Sequence, residues 1–345
     1  MLQRIRTSFS VLIVLSVSSG CAIEGPADRN SHAPENAVLI LDDRALDLLD
    51  PELGIEILGS GYLWTEGPLW VDSLDALLFS DIPNNVIHRY DPASGIIEFL
   101  RPSGATRLKD YDSLQGANGL LLDADGRLVL MQQGDRRVAA MAAALESPEA
   151  VFETLADAYE GLRFNSPNDG VMDKAGRIYF TDPPYGLGGG FDDEHRELDY
   201  LGVFRLDPDG TVTLLDDSLP APNGIGLSPD QRTLYVAVSD DDRPEWYAYE
   251  LREDGSVGTR RLFLSAAEFI RSTGAEGVPD GMAVHSSGHL FATGPGGVWL
   301  ISAEGEVLAR IRTGSLTANC ALNADESALY MTAHERLLVL PLKVQ

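Results

Sequence analysis

The stretch Arg163-Phe-Asn-Ser-Pro-Asn168-Asp169-Gly170-Val-Met-Asp-Lys-Ala-Gly176-Arg-Ile-Tyr-Phe-Thr181-Asp182 sets the reading of the whole chain. A polar pair precedes a glycine and a short apolar step, a turn follows at Asp173–Gly176, and Ile178-Tyr-Phe180 reads as a strand. The same grammar returns at Glu66-Gly-Pro-Leu-Trp70, Asn118-Gly-Leu-Leu-Leu-Asp123, Asn223-Gly-Ile-Gly-Leu, Asp280-Gly-Met-Ala-Val and Asn319-Cys-Ala-Leu-Asn, each with a strand-like run behind it. The six starts lie 52, 50, 55, 57 and 39 residues apart. A repeat of about 40–50 residues built from several short strands is the signature of propeller blades. The expected fold is therefore all-β, a six-bladed β-propeller. Only the inner strands of a blade remain after Asn319, so its outer strand is expected from the N-terminal side, around Ile55-Glu-Ile-Leu58.

In a propeller the first residue of each repeat lies at one mouth of the central channel. Glu66, Asn118, Asn168, Asn223, Asp280 and Asn319 all carry side-chain oxygens, and none is Lys or Arg. Asn and Asp also begin turns for purely local reasons, which accounts for any one of these positions. Six in register, with a Glu among them, point instead to a cation held by hard oxygen ligands at a central metal site, calcium before the softer transition metals.

These motifs carry a resemblance. Thr65-Glu66-Gly-Pro-Leu-Trp70, Phe164-Asn-Ser-Pro-Asn168-Asp169, Phe180-Thr-Asp-Pro-Pro-Tyr-Gly186, Pro222-Asn223-Gly224, Pro279-Asp280-Gly-Met282 and Thr293-Gly-Pro-Gly-Gly-Val-Trp299 resemble those of the gluconolactonase, regucalcin and senescence-marker-protein family. The likeness covers about residues 60–340. It implies a divalent cation, often calcium, on Glu66, Asn168, Asn223 and Asp280, and hydrolysis of a sugar lactone to its aldonic acid. Asp280 is implied as the base that activates water, with Asn118, Asp169 and Tyr185 positioning substrate hydroxyls and Arg163 a further candidate for that role. Many members have His where this chain has Gln133, and Gln cannot take a proton, so a histidine base in blade two does not transfer. Two alternatives stay open: a related esterase or organophosphate hydrolase, and a non-catalytic binding propeller with calcium as its plug.

Other features narrow the field. A net charge of −27 disfavours nucleic acid and anionic membranes as partners. The six histidines show no ligand or triad spacing, and no Gly-x-Ser-x-Gly elbow occurs. The glycine-rich Leu187–Arg196 loop lacks the Gly-Lys-Ser/Thr ending of a phosphate loop and reads as a mobile loop near the channel mouth. Alanine-rich residues 139–145 read as a short helix or an inter-blade connection. Residues 1–20 read as an export signal, with Arg4, Arg6 and the apolar Val11–Leu15, too short for the roughly 20 residues of a membrane span. Ser18-Ser-Gly-Cys21 resembles a lipoprotein signal, with a plain cleaved signal as the alternative. The expected location is therefore the periplasm, free or tethered by a lipid on Cys21. Residues 21–50 are expected to be a tether and a short, partly helical lead-in, and 51–345 the propeller. The only other cysteine is Cys320.

Overall fold

A computed structural model describes residues 37–106 and 115–344. The signal, Cys21 and the tether up to residue 36 lie outside the described residues, as does His32. Six antiparallel sheets follow the six repeats. Their inner strands are Thr65–Val71, Ala117–Leu122, Gly170–Met172, Pro222–Leu227, Met282–Val284 and Asn319–Leu322, so every repeat start stands at or just before the head of an inner strand. Blade 6 is closed by Glu56–Ser60, which pairs with Arg336–Pro341, with Glu56 opposite Val339. The expected N-terminal closure is therefore present.

Two local expectations change. Residues 38–50 hold a short 3-10 helix, Asp43–Asp47, but Val38–Ile40 pairs with Val307–Ile311 as a fifth, outermost strand of blade 5, so the propeller begins before residue 51. The alanine-rich stretch is not helical: Arg137–Met141 is the third strand of blade 2. Val138 and Ala140 pack towards blade 3 while Met141 packs towards blade 1. That two-residue alternation between two packed faces overrides alanine's helix preference.

The apolar core lies between neighbouring blades. In strand Ala76–Asp81, Leu77 and Phe79 meet Tyr330 and Leu337 of blade 6, whereas Leu78 meets Leu128 and Leu130 of blade 2. Each side chain of this kind contributes roughly 1.5–3 kcal/mol by leaving water. Leu48 and Leu49, fully buried, cap the cluster between blades 5 and 6. Cys320 is a buried free thiol in the same cluster, and burial pushes its pKa up to about 12. No helix among the described residues is long and apolar enough to cross a membrane.

Candidate active site at the axis

Neighbouring inner strands converge so tightly at the axis that the residue following four of the repeat starts, Gly67, Gly119, Gly224 and Gly281, must be small. A Cβ on Gly67 would lie 2.0 Å from the Asn118 carbonyl oxygen, and one on Gly224 would lie 2.1 Å from that of Asp280. Hydroxyls at the ends of second strands stitch adjacent blades at this level. Ser80 Oγ donates to the Asn118 carbonyl at 2.8 Å, Thr181 Oγ1 to Asn223 at 2.6 Å and Thr293 Oγ1 to Ala318 at 2.8 Å. The sequence carried a signal for these, a Ser or Thr closing each run (Phe79-Ser80, Phe180-Thr181, Ala292-Thr293).

The axial side chains are held by local bonds. Asn118 Nδ2 donates to Asn168 Oδ1 at 2.9 Å. Asn223 Nδ2 donates to Ser239 Oγ at 2.8 Å, and Ser239 Oγ donates to the Pro279 carbonyl at 2.5 Å. Glu66 Oε2 and Asp169 Oδ1 each accept from the following backbone N–H, of Gly67 and Gly170. Asp169 Oδ2 faces Asn319 Nδ2 at 3.5 Å. Two oxygens are left buried with no partner, Asn118 Oδ1 and Asp280 Oδ1. Ser239 is the participant to which sequence reasoning had given no role in the site.

Three carboxylates share this space. Burial pushes the Glu66 pKa up to about 8, with the charge of Asp169 adding to it. Burial likewise raises Asp169 to about 6. Asp280 is held well above the usual carboxylate range, first by burial and then by the charges of Glu66 and Asp169. Tyr185 is also raised, by burial and by the charge of Asp280, so its ring reaches the same mouth. Arg163 is different: its guanidinium donates to the Asp135 carbonyl at 3.2 Å and its backbone N–H to Glu197, with no hydrogen bond to the axial group.

Below the ring lies a cavity of about 220 Å³, bounded by Gly67, Leu120, Asp169, Val171, Asn319 and Cys320. Asp169 thus turns down the channel, one level beneath Asn168. A larger crevice of about 400 Å³ opens beside Asp123, Asp125, Lys174 and Gly176, where the turns of blades 2 and 3 meet. It holds none of the strongly shifted acids, and perturbed acids gathered in a cleft mark the axis as the reactive place.

The donor set fits a hard cation. Amide nitrogens of Asn118 and Asn223 are spent on protein partners, so oxygens remain to face the axis, and among the described residues no Lys or Arg forms an ion pair with the mutually repelling carboxylates. Among the described residues no three His, Cys, Asp or Glu side chains form a metal-holding group by themselves; amide oxygens would complete the set. His285 is a buried turn residue, its Nδ1 bonded to Ser287 and its Nε2 3.1 Å from Glu326.

Comparison with known proteins agrees with this geometry. Residues 64–335 match the model of the SMP-30/Gluconolactonase/LRE-like region. The chain is 36% identical over 295 residues to a gluconolactonase of Zymomonas mobilis, covering 84% of this chain and 82% of the relative. It is 30% identical over 276 residues to the pentonolactonase XacC of Haloferax volcanii, covering 77% and 80%. Among solved structures, a gluconolactonase of Xanthomonas campestris superposes with a TM-score of 0.77 at 29% identity, covering 89% of this chain and 94% of that one. Matched over residues 64–335, the chain belongs to the SMP-30/Gluconolactonase/LRE-like family.

Proposed function

We propose that this protein is a divalent-cation-dependent sugar lactonase of the cell envelope. The observation that carries the reading is the axial ring, where buried carboxylates raise one another's pKa and two buried oxygens lack partners. Relatives named gluconolactonase and pentonolactonase supply the reaction class, so the chain is a hydrolase that opens a cyclic ester.

Glu66, Asn168, Asn223 and Asp280 would hold the cation, with calcium favoured by the all-oxygen donor set and by relatives named regucalcin. Such a cation supplies Lewis-acid polarisation of an ester carbonyl. The chain's own residues do the rest. Asp280 Oδ1, buried and without a protein partner, accepts the proton of the attacking water. Ser239 fixes Asn223 and, through Pro279, the backbone leading to Asp280. Asn118 Oδ1 accepts from a substrate hydroxyl, and Tyr185 closes the side of the cleft. Asp169, turned towards Asn319, supports the ring from below, and Arg163 orients substrate only from the rim.

Hydrolysis of a panel of sugar lactones, followed by proton release with and without chelator, tests the reading. Chelator-sensitive turnover that calcium restores supports it. No turnover with any lactone under either condition leaves the calcium-plugged binding propeller in its place. Turnover of simple esters or phosphotriesters in preference to lactones leaves the related esterase. The envelope location rests on residues 1–21 and is tested by fractionation of cells carrying the full chain and Cys21→Ser: membrane association lost in the variant supports a lipid anchor, and a cytoplasmic wild type overturns export.

A further inference from the structure

Blades 2 and 4 share a detail of register that assigns a role to Gln133. In blade 2, Ala117 pairs with Gln132 and Leu120 with Leu130, three residues on the inner strand against two on its neighbour. Blade 4 repeats this with Pro222 against Val238 and Ile225 against Val236. Each irregularity contains the axial asparagine, Asn118 or Asn223. Gln133 and Ser239 therefore hold the same place, one residue past the last pair, on the mouth side of the ring.

Their bonding differs. Ser239 is satisfied, accepting from Asn223 and donating to Pro279. Gln133 is 2% exposed, and its Nε2 has no hydrogen-bond partner among the described residues. Its packing places it beside the substrate side of the site. A Cβ on Gly186 would come within 2.6 Å of Gln133 Cβ and 2.8 Å of Ser166 Cβ. Gln133 is thus wedged between the segment leading to Asn168 and the residue that follows Tyr185. Ser166 does not satisfy it: its hydroxyl donates to the Pro183 carbonyl and accepts from the Gly186 N–H. A buried amide donor left unmade is costly, and such groups in native proteins call for an explanation.

We propose that Gln133 is a substrate-binding residue whose amide hydrogen-bonds a ring hydroxyl of the lactone. This rests on the lactonase reading and sharpens its substrate class to neutral, polyhydroxylated lactones. An amide both donates and accepts without charge, and so matches a hydroxyl at any pH. Nothing in this role requires Gln133 to move a proton.

Two substrates and two variants separate the possibilities. Glucono-1,5-lactone carries ring hydroxyls and δ-valerolactone carries none. Gln133→Met keeps the length and removes the amide; Gln133→Asn keeps the amide and withdraws it by one methylene. The expected result is a fall of about tenfold in kcat/KM for gluconolactone, mainly through KM, the size of one good hydrogen bond. Valerolactone kinetics stay unchanged, and Gln133→Met melts no lower than wild type because it relieves an unpaired donor. If the methionine variant does not fold, the same split in the asparagine variant carries the test. Equal losses on both lactones with a lowered Tm, or no change on either, overturn the inference while leaving the lactonase reading intact. A wild type inactive on every lactone overturns that reading and this inference with it.

Discussion

The two ends of the inner strands use the same residue types to opposite ends. At the far end, Asp123 Oδ1 accepts from the N–H groups of Asp125 and Arg127, and Asp173 Oδ1 from those of Ala175 and Arg177. Arg127 and Arg177 complete each arrangement with an ion pair. Asp123 and Asp173 are each answered by an arginine four residues on. At the axial end, Glu66, Asp169 and Asp280 are buried beside one another, are shifted towards their protonated forms, and have no ion-pair partner among the described residues. Turn chemistry explains the far end completely and leaves the axial end unexplained. An acidic residue thus marks a ligand site when its local partners run out, and not by its type.

The sharpest way to break the contrast is Asp280→Asn, which keeps the shape and removes the proton acceptor. Lactone kcat/KM should fall by roughly 10²–10⁴-fold, the usual worth of a positioned base, with calcium still bound by calorimetry. Activity within a few-fold of wild type would remove Asp280 from the chemistry.

Next in size is the pH dependence of cation binding. Glu66 has a folded pKa of about 8 and Asp169 of about 6 in the absence of an ion, both above the ordinary range. Each stabilises the ion-free fold only while protonated, so stability declines as pH rises from about 4 towards 8. A cation must displace those protons, so its affinity should rise by more than tenfold between pH 5.5 and 8.5, by about tenfold per pH unit for each proton released. Calcium titrations at the two pH values check this, with flat affinity as the adverse outcome.

A third contrast sets glycine against glycine. Gly224→Ala drives a Cβ to 2.1 Å from the Asp280 carbonyl oxygen and should cost about 2–3 kcal/mol together with most of the activity. Gly126→Ala, at a far-end turn with φ +77° and open space around it, should cost only the left-handed penalty of about 1 kcal/mol at unchanged kcat/KM. Smallest is Asp123→Ala, which should lose about 1 kcal/mol of stability and none of the activity. Urea unfolding and steady-state kinetics read both comparisons. A far-end substitution that lowers kcat/KM at full stability would show the two ends to be coupled.

Much of this was legible because a blade is a local object. The interval between Glu66, Asn118, Asn168, Asn223, Asp280 and Asn319 exposes the repeat, and the missing outer strand of the last blade called for Glu56–Ser60. Misreadings arose where a distant partner decided the outcome. Residues 139–145 looked helical in isolation, but Val138 and Ala140 are claimed by one neighbouring blade and Met141 by the other. Val38–Ile40 carries no strand signal that outweighs its lead-in, and takes its form from Val307–Ile311. Arg163, a candidate by resemblance, has its guanidinium set on the Asp135 carbonyl by its hairpin, a position that sequence distance from Asn168 does not give.

By itself the sequence determined the number of blades and the six residues that head them, because periodicity and residue type are properties of the chain alone. Only the tertiary structure decided which of those heads carry shifted acids or unpartnered oxygens. Burial, mutual repulsion and the absence of a partner are relations among residues 50 to more than 200 positions apart, and no local pattern encodes them. Asn168 and Asp169, adjacent in sequence, show the division. The first bonds to Asn118 at the level of the ring, the second turns to Asn319 beneath it, and only the closing of six blades around one axis makes them different.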